Sequence, residues 1–491
     1  MSSVAPLKNK VISGMIWSSI GQFSSLAVTL ISNIVLARLL TPDDYGAIGM
    51  LAIFLSISLA FVNGGFTMAL IQKKDIKEID YTTIFWWNLI VSVFFVCLLF
   101  FLAPVIANFY RLPILKNILR VQSLDLVICS LQLVPISKFK REIKFKPLAT
   151  RRIIASIVAT ISAIIMAYSG FGVWTLVFCT LIKSSVNTTL LWTLSDWRPS
   201  FRFSFTSWKE LFNFGGLMLG ASLIDALYTN ISGLIIGRAF SAKDMGYYAQ
   251  ARKLEEVPSN VMSAVINEVS FSAFSRIQDD SERLIKGLRN NIHSVAFLCF
   301  GMMSFLLSIA SPLFTLLFTS KWNQSVPYFQ ILCLASMFYT LNKVNSSAVK
   351  SIGKSNVYFH IHLIQQIIGL ILIVLGVKFG IIGMLFGILL STLITFIMNA
   401  FVNQKYIGYR VWLQIKDVGG YYFISLSIGA LSLYLGSLLI SWNYVLVMFL
   451  QMTLFVALYL TLCYLLKMPG ILIFIRSAYE LINRRRKTNK I

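Results

Sequence analysis

Apolar residues recur along this chain in long runs, and short polar stretches separate the runs. A helix needs about 20 mostly apolar residues to cross the roughly 30 Å hydrocarbon core of a bilayer. The pattern predicts fourteen membrane helices. Their predicted spans are 11–37, 47–71, 81–104, 117–137, 150–169, 173–194, 209–237, 245–273, 290–318, 326–350, 355–377, 380–402, 417–440 and 443–466.

The composition agrees with an all-α integral membrane protein. Of 491 residues, 57% are hydrophobic and only 13% are charged, about half the charged share of soluble domains. So few charges do not cover a water-facing surface. The first apolar run is too long for a signal peptide, and we expect it to be retained as a membrane helix. All six cysteines lie within apolar runs and none forms a CxxC pair, which indicates buried apolar residues.

The positive charges are distributed as in a membrane protein. A net charge of +24 would suggest nucleic acid binding in a soluble chain, but here the basic residues lie in short loops. With the N-terminus inside, 31 of the 43 Lys and Arg residues fall in inner segments and 8 in outer ones. This split predicts a multi-pass membrane protein with an even number of membrane helices and both termini cytoplasmic. After Pro469 we predict an amphipathic tail whose Arg484–Lys487 run meets anionic headgroups.

Two segments repeat at a fixed distance. Residues 37–46 read ARLLTPDDYG and residues 237–246 read GRAFSAKDMG, an offset of 200, and FGV at 171–173 is echoed by FGI at 379–381. The echoes predict two parallel six-helix lobes, 1–200 and 201–410, followed by two further helices and the basic tail in 411–491. Parallel repeats are typical of transporters, with the substrate pathway between the halves.

Small and polar residues follow one face of the first helix at helical spacing: Gly21, Ser25, Thr29 and Ser32. At the 200 offset, Asp225 and Thr229 lie on the seventh helix. Small residues of this kind serve close helix packing or line a polar cavity, and a membrane carboxylate favours the cavity. The candidate substrate-binding residues are Gln22, Ser25, Thr29, Asn33, Asp125, Lys183, Asp225, Thr229, Arg252, Lys253 and Lys343.

Arg38 and Arg238 lie at matching outer helix ends. Each is suited either to bind an anionic headgroup or to pair with Asp44 or Asp244 and brace the turn. Catalytic motifs are missing: GKS at 353–355 lacks the earlier glycine of a phosphate-binding loop, and no HExxH occurs. We therefore expect no catalytic residue, no metal site and no cofactor.

Five stretches carry a family resemblance. They are LARLLTPDDYGAIGM (36–50), NGGFTMALIQKKD (63–75), GFGVWTLV (170–177), YYAQARKLEEVP (247–258) and FSAFSRIQDD (271–280). The chain resembles Wzx-type polysaccharide transporters of the multidrug/oligosaccharidyl-lipid/polysaccharide exporter superfamily. The resemblance implies a two-lobed bundle of fourteen helices around a central cavity.

The same resemblance implies a function. Such a protein moves an undecaprenyl-diphosphate-linked oligosaccharide to the periplasmic leaflet for surface polysaccharide or lipopolysaccharide synthesis, driven by an H⁺ or Na⁺ gradient. Its partners would be the lipid-linked oligosaccharide, membrane lipids and a glycan polymerase machinery. Three alternatives remain: a drug/cation antiporter of the same superfamily, a flippase for the peptidoglycan precursor lipid, and a membrane glycan polymerase or ligase.

The predicted orientation of the loops can be tested directly with reporter fusions. Alkaline phosphatase folds only outside the cytoplasm, so we expect it to be active when fused after Leu112 and inactive when fused after Ile143. Green fluorescent protein at the C-terminus should fluoresce. The reverse pattern of enzyme activity would contradict the predicted orientation.

Overall fold

The computed structural model describes residues 4–277, 280–439 and 442–476. Within these ranges the chain is helical and contains no strand, which confirms the all-α class. The helices are α1 (Val4–Leu39), α2 (Pro42–Asn63), α3 (Phe66–Gln72), α4 (Glu78–Tyr110), α5 (Ile114–Gln122), α6 (Leu124–Ser130), α7 (Leu133–Arg141), α8 (Phe145–Tyr168), α9 (Trp174–Leu194), α10 (Phe205–Ala239), α11 (Ala242–Arg276), α12 (Ser281–Ser308), α13 (Ala310–Phe318), α14 (Ser325–Ser351), α15 (Ser355–Val377), α16 (Gly380–Tyr406), α17 (Val411–Leu438) and α18 (Tyr444–Leu465).

Eleven helical segments among the described residues are long and apolar enough to cross a membrane. The protein is therefore a multi-pass membrane protein. The other three predicted spans coincide with α9, α11 and α14, which carry more polar side chains along their length. The count of fourteen stays a prediction.

The chain forms two compact units, Met1–Ala249 and Gln250–Ile491, called unit 1 and unit 2 below. In unit 1, α8 packs against α1 and α9, and α10 packs against α2. In unit 2, α14 packs against α12 and α16, α15 packs against α16, and α17 packs against α12 and α18. The boundaries at 200 and 410 were inferred from sequence repeats, and that division stays a prediction.

Three predicted helices are broken in the structure. The predicted span 47–71 is divided into α2 and α3 because Gly64 and Gly65 are left-handed, with φ of 53° and 67°. A Cβ on Gly65 would lie 2.5 Å from the carbonyl oxygen of Gly215 on α10, so this break also admits a close backbone contact. The span 117–137 forms α5, α6 and α7, and the span 290–318 forms α12 and α13.

The repeated segments form the same local structure. Thr41 begins α2 with a capping box, in which its side chain accepts from the Asp44 N–H and the Asp44 carboxylate accepts from the Thr41 N–H at 2.9 Å. Ser241 and Asp244 make the same two bonds before α11, at 3.1 and 3.3 Å. The two carboxylates thus brace the helix starts through their own caps. The guanidinium of Arg238 lies 5.4 Å from the Phe109 ring centre.

The two capped starts meet inside unit 1. A Cβ on Gly46 would lie 1.7 Å from the carbonyl oxygen of Ala242, and one on Gly246 would lie 1.8 Å from that of Pro42. The backbones of α2 and α11 therefore touch at these two glycines. No side chain larger than hydrogen fits at either position without moving a backbone.

Part of the predicted tail is described as a helix over 469–476. Leu472, Phe474 and Ile475 are exposed, as an amphipathic helix requires, whereas Ile471 is buried. The centre of the Phe474 ring lies 6.3 Å from that of Phe297 on α12. The Arg484–Lys487 run lies outside the described residues.

The glycine contact is testable with a matched pair of variants. Gly46→Ala should lower the stability of the purified protein by about 1–3 kcal/mol, because the added methyl meets backbone. Gly220→Ala, on α10, should be neutral or slightly stabilising because no heavy atom lies within 4 Å of the added Cβ. Thermal unfolding in detergent, followed by tryptophan fluorescence, compares them. Equal melting of both variants would disprove the contact.

Candidate functional site

The first half of the small-residue face on α1 packs against α8. A Cβ on Gly21 would lie 2.6 Å from the Cβ of Ala149, so the two helices approach closely there. One turn further along, the Ser25 and Ser156 hydroxyls are 2.9 Å apart and both are buried. This part of the predicted cavity face is engaged in helix packing within unit 1.

The rest of the α1 candidates differ in exposure. Asn33 is buried, and its Oδ1 accepts a hydrogen bond of 3.4 Å from the Tyr45 hydroxyl on α2. Thr29 is half-buried and Gln22 is exposed. On α10, Asp225 and Thr229 are exposed and four residues apart, so they share one side of the helix.

Asp125 and Lys183 lie on α6 and α9. The Cys129 thiol donates to Asp125 Oδ2 at 3.6 Å and is 4.0 Å from the Ser184 hydroxyl. Gln132 Nε2 also donates to the Ser184 carbonyl oxygen, at 3.3 Å. The structure thus places Asp125 at a polar seam between α6 and α9, beside the residue that follows Lys183.

Three candidates lie in unit 2. Arg252 pairs with Glu256 one turn later on α11, with Nε 2.8 Å from Oε1. Lys253 is exposed, and the Lys343 ammonium on α14 lies 4.9 Å from the Tyr339 ring centre. Eight candidates therefore belong to unit 1 and three to unit 2. Their role as one cavity lining stays a prediction.

A buried carboxylate between α11 and α14 was not among the candidates. Glu255 is 6% exposed, and its Oε1 accepts hydrogen bonds from the Ser259 and Ser336 hydroxyls. Ser259 is one turn further along α11, which the sequence shows, but Ser336 comes from α14 and becomes a neighbour only on folding.

A second network missed from the sequence joins α12 to α17. Arg289 donates two hydrogen bonds to Asp417, from Nε to Oδ2 at 2.6 Å and from Nη2 to Oδ1 at 2.8 Å. The Tyr409 hydroxyl donates to Oδ2 at 2.6 Å, and His293 Nε2 lies 3.6 Å from Oδ1. Burial raises the pKa of Tyr409, and the bond to the carboxylate adds to that effect. The phenol therefore stays a donor to Asp417.

Side-chain amides connect α14, α15 and α16 in unit 2. Gln365 donates to Asn399 at 2.9 Å, and Asn399 donates to Asn342 at 3.3 Å. A separate pair, Asn403 to Asn345, is 2.8 Å long. All five residues are buried. We call this group the amide ladder.

Charged residues of unit 1 form ion pairs and hydrogen bonds at the ends of helices and in the loops between them. Lys73 contacts Asp80 at 3.1 Å and Glu210 at 2.9 Å. Burial lowers the pKa of Lys73, but hydrogen bonds to Glu210 and Asp80 outweigh that effect and hold the pKa above its ordinary value. The Arg141 guanidinium donates to the carbonyl oxygens of Leu70, Lys73 and Lys74 at 3.0, 2.5 and 2.7 Å, closing the end of α3.

Metal ligation has no support in the described part of the chain, where no group of three His, Cys, Asp or Glu side chains is placed to hold an ion. The arrangement instead offers isolated charges and hydroxyls on helices.

Comparison with known sequences identifies the family. A family described as "Polysaccharide biosynthesis protein" matches residues 35–327, more than half of the chain. The protein belongs to this family. The lipopolysaccharide biosynthesis protein WzxC of Escherichia coli (strain K12) is 25% identical over 402 residues, covering 81% of this chain and 82% of WzxC. The succinoglycan biosynthesis transport protein ExoT of Rhizobium meliloti is 26% identical, covering 72% and 71%.

Solved structures share the fold of this family member. The Lipid II flippase MurJ in an inward closed conformation superposes with a TM-score of 0.73 at 16% identity, covering 94% of this chain and 100% of MurJ. An inward-facing multidrug resistance MATE transporter of the MOP superfamily gives 0.63 at 17% identity, covering 80% and 98%. The resemblance to Wzx-type transporters of this superfamily is confirmed.

The Arg289–Asp417 pair is testable against a surface pair on the same helix. Asp417→Asn should cost about 1–3 kcal/mol, because it removes the charge that Arg289 and Tyr409 share at a buried position. Arg283→Gln should cost at most about 0.5 kcal/mol, because the Arg283–Asp280 pair is exposed. Thermal unfolding in detergent distinguishes them. A loss in Asp417→Asn no larger than that in Arg283→Gln would show that the network contributes little.

Proposed function

We propose that this protein is a flippase that carries an undecaprenyl-diphosphate-linked oligosaccharide across the cytoplasmic membrane by alternating access. The substrate moves from the cytoplasmic to the periplasmic leaflet, for assembly of a surface polysaccharide or lipopolysaccharide. The observation that carries the proposal is the family match over residues 35–327. The names of the relatives, in lipopolysaccharide biosynthesis and succinoglycan transport, support the glycan as cargo.

The physical problem is the sugar headgroup. An oligosaccharide carries many hydroxyls, and each costs on the order of several kcal/mol to remove from water without a replacement partner. The sum prevents unaided crossing. A polar path through the protein offers hydrogen-bond partners to the sugar, while the isoprenoid tail stays in the lipid. The exposed Asp225 and Thr229 of α10 are groups that such a path would use.

The diphosphate requires cations. Arg and Lys side chains make short, charge-assisted hydrogen bonds to phosphate oxygens. Lys183, Arg252, Lys253 and Lys343 are four of the cations that the sequence places within predicted spans. We assign them to the diphosphate, with an H⁺ or Na⁺ gradient as the energy source and no chemical step by the protein. Both termini lie in the cytoplasm, and a glycan polymerase machinery receives the product.

The fold likeness to MurJ favours a second candidate, flipping of the peptidoglycan precursor lipid. That cargo shares the diphosphate and the isoprenoid tail, so the same physical argument applies. Cell viability separates the two, because loss of a peptidoglycan flippase is lethal and loss of a surface glycan flippase usually is not. The drug/cation antiporter alternative predicts instead a change in drug resistance on deletion.

Deletion of the gene should abolish the surface glycan in viable cells, with lipid-linked oligosaccharide accumulating on the inner leaflet. Wild-type protein should restore export. A quadruple variant with Gln at Lys183, Arg252, Lys253 and Lys343 should reduce export at least tenfold at equal expression. Immunoblotting of surface glycan measures it.

The matched control replaces four exposed cations with Gln: Arg202, Lys286, Lys378 and Lys416. It removes the same charge and should export normally. Lethal deletion would refute the surface-glycan cargo, and normal export by the first quadruple variant would refute the role of those cations.

A further inference from the structure

Two adjacent arginines lie in the second turn of α8. Arg151 is only 5% exposed, and its Nε and Nη1 atoms are buried without a hydrogen-bond partner among the described residues. Arg152 beside it is exposed. No ion pair found within the described ranges includes Arg151, Arg152 or Lys183.

Other cations of unit 1 are satisfied within the protein. Lys73 has two carboxylates, and Lys138 has Glu78 at 3.3 Å. Arg141 donates to four backbone carbonyl oxygens, and Arg198 donates to the carbonyl oxygens of Ser195 and Trp197 at 2.5 and 2.8 Å. Arg151 is more buried than any of these four, yet two of its donors have no acceptor. It therefore differs from cations that hold the fold together.

Helical spacing places Lys183 on α9 near the end of α8 that carries the two arginines. The Cys179 thiol on α9 donates to the Ala159 carbonyl oxygen on α8 at 3.8 Å. Lys183 follows Cys179 by one turn, and Arg151 precedes Ala159 by two turns, so along this antiparallel pair Lys183 lies about one turn from the level of Arg151. Their charges interact: Arg152 repels both Lys183 and Arg151. Three positive charges thus lie near one another, and no carboxylate in the described part of the chain forms an ion pair with them.

Such a cluster is unfavourable unless an anion joins it. Removing one guanidinium from water costs several kcal/mol even after relaxation, and neighbouring like charges add to that cost. Gly21 and Ser25 of α1 contact α8 at Ala149 and Ser156, so α8 is packed against α1 on both sides of the arginines. The planar fork of an arginine matches two phosphate oxygens at once, and a lysine adds a point charge.

We propose that Arg151, Arg152 and Lys183 bind the phosphates of a diphosphate ester in unit 1. The identity of the ligand rests on the proposed function, whereas the existence of the site does not. Arg151 supplies the buried fork, Arg152 covers the second phosphate from the exposed side, and Lys183 neutralises the remaining charge from α9. The site adds Arg151 and Arg152 to the predicted set of cations.

Binding to the purified full-length protein in neutral maltoside micelles tests the site. Two probes are used, inorganic pyrophosphate and farnesyl diphosphate, by isothermal titration calorimetry. Arg151→Gln should weaken both at least tenfold, about 1.4 kcal/mol. Arg151→Lys should weaken them less, because the charge remains. Arg202→Gln, an exposed arginine of the same unit, should bind as wild type does.

The two probes distinguish the source of the phosphate. Tighter binding of farnesyl diphosphate than of pyrophosphate indicates a lipid headgroup, and equal binding indicates a free diphosphate. Failure of both probes to bind wild-type protein, or equal binding by Arg151→Gln, would overturn the site. If Arg151→Gln does not fold, Arg152→Gln and Lys183→Gln carry the same expectation.

Export in cells separates this site from the proposed function. Lost binding in Arg151→Gln together with an unchanged glycan in the deletion strain would keep the site and refute the function. Full export by Arg151→Gln in a strain that needs the gene would keep the function and remove the site from the substrate path.

Discussion

Within a bilayer no water is at hand to complete a hydrogen bond, so the protein itself must supply a partner for each buried polar group. That constraint favours the hydrogen-bonded sets of polar residues found in unit 2. The amide ladder joins three helices through hydrogen bonds between side-chain amides. Glu255 has two serine hydroxyls from two helices, and Asp417 has a guanidinium and a phenol. Each set also fixes the register of the helices it connects.

Arg151 of unit 1 has buried donors without such a partner among the described residues. A carboxylate or an arginine that is fully paired is part of the scaffold, and replacing it disturbs the fold. A buried arginine whose donors lack acceptors costs free energy that the scaffold does not return. In a protein that transports a polar solute, that cost is offset when the solute binds. The contrast between Arg141 and Arg151, ten residues apart, separates these two uses of one side chain.

The lengths of the apolar runs predicted where the helices lie, but not where they are broken. The Gly64–Gly65 break is marked by the glycines themselves, whereas the breaks at Ser123 and Ile309 occur at residues that ordinarily continue a helix. Thr41 and Asp44 have the spacing of a capping box, and so do Ser241 and Asp244. The sequence therefore carries a signal for these two helix starts. The site was harder to predict, because a serine that lines a cavity and one that packs helices look alike until the facing helix is known.

Gly46 and Gly246 occupy equivalent places in the two sequence repeats, and each would direct a side chain into the main chain of the other segment. A main-chain atom has no smaller substitute, so no second mutation elsewhere restores the space that a first one removes. If the two halves arose by gene duplication, they were free to diverge in most positions but not at this pair. Directed evolution of the protein toward new cargoes should treat both codons as immutable and place its diversity elsewhere.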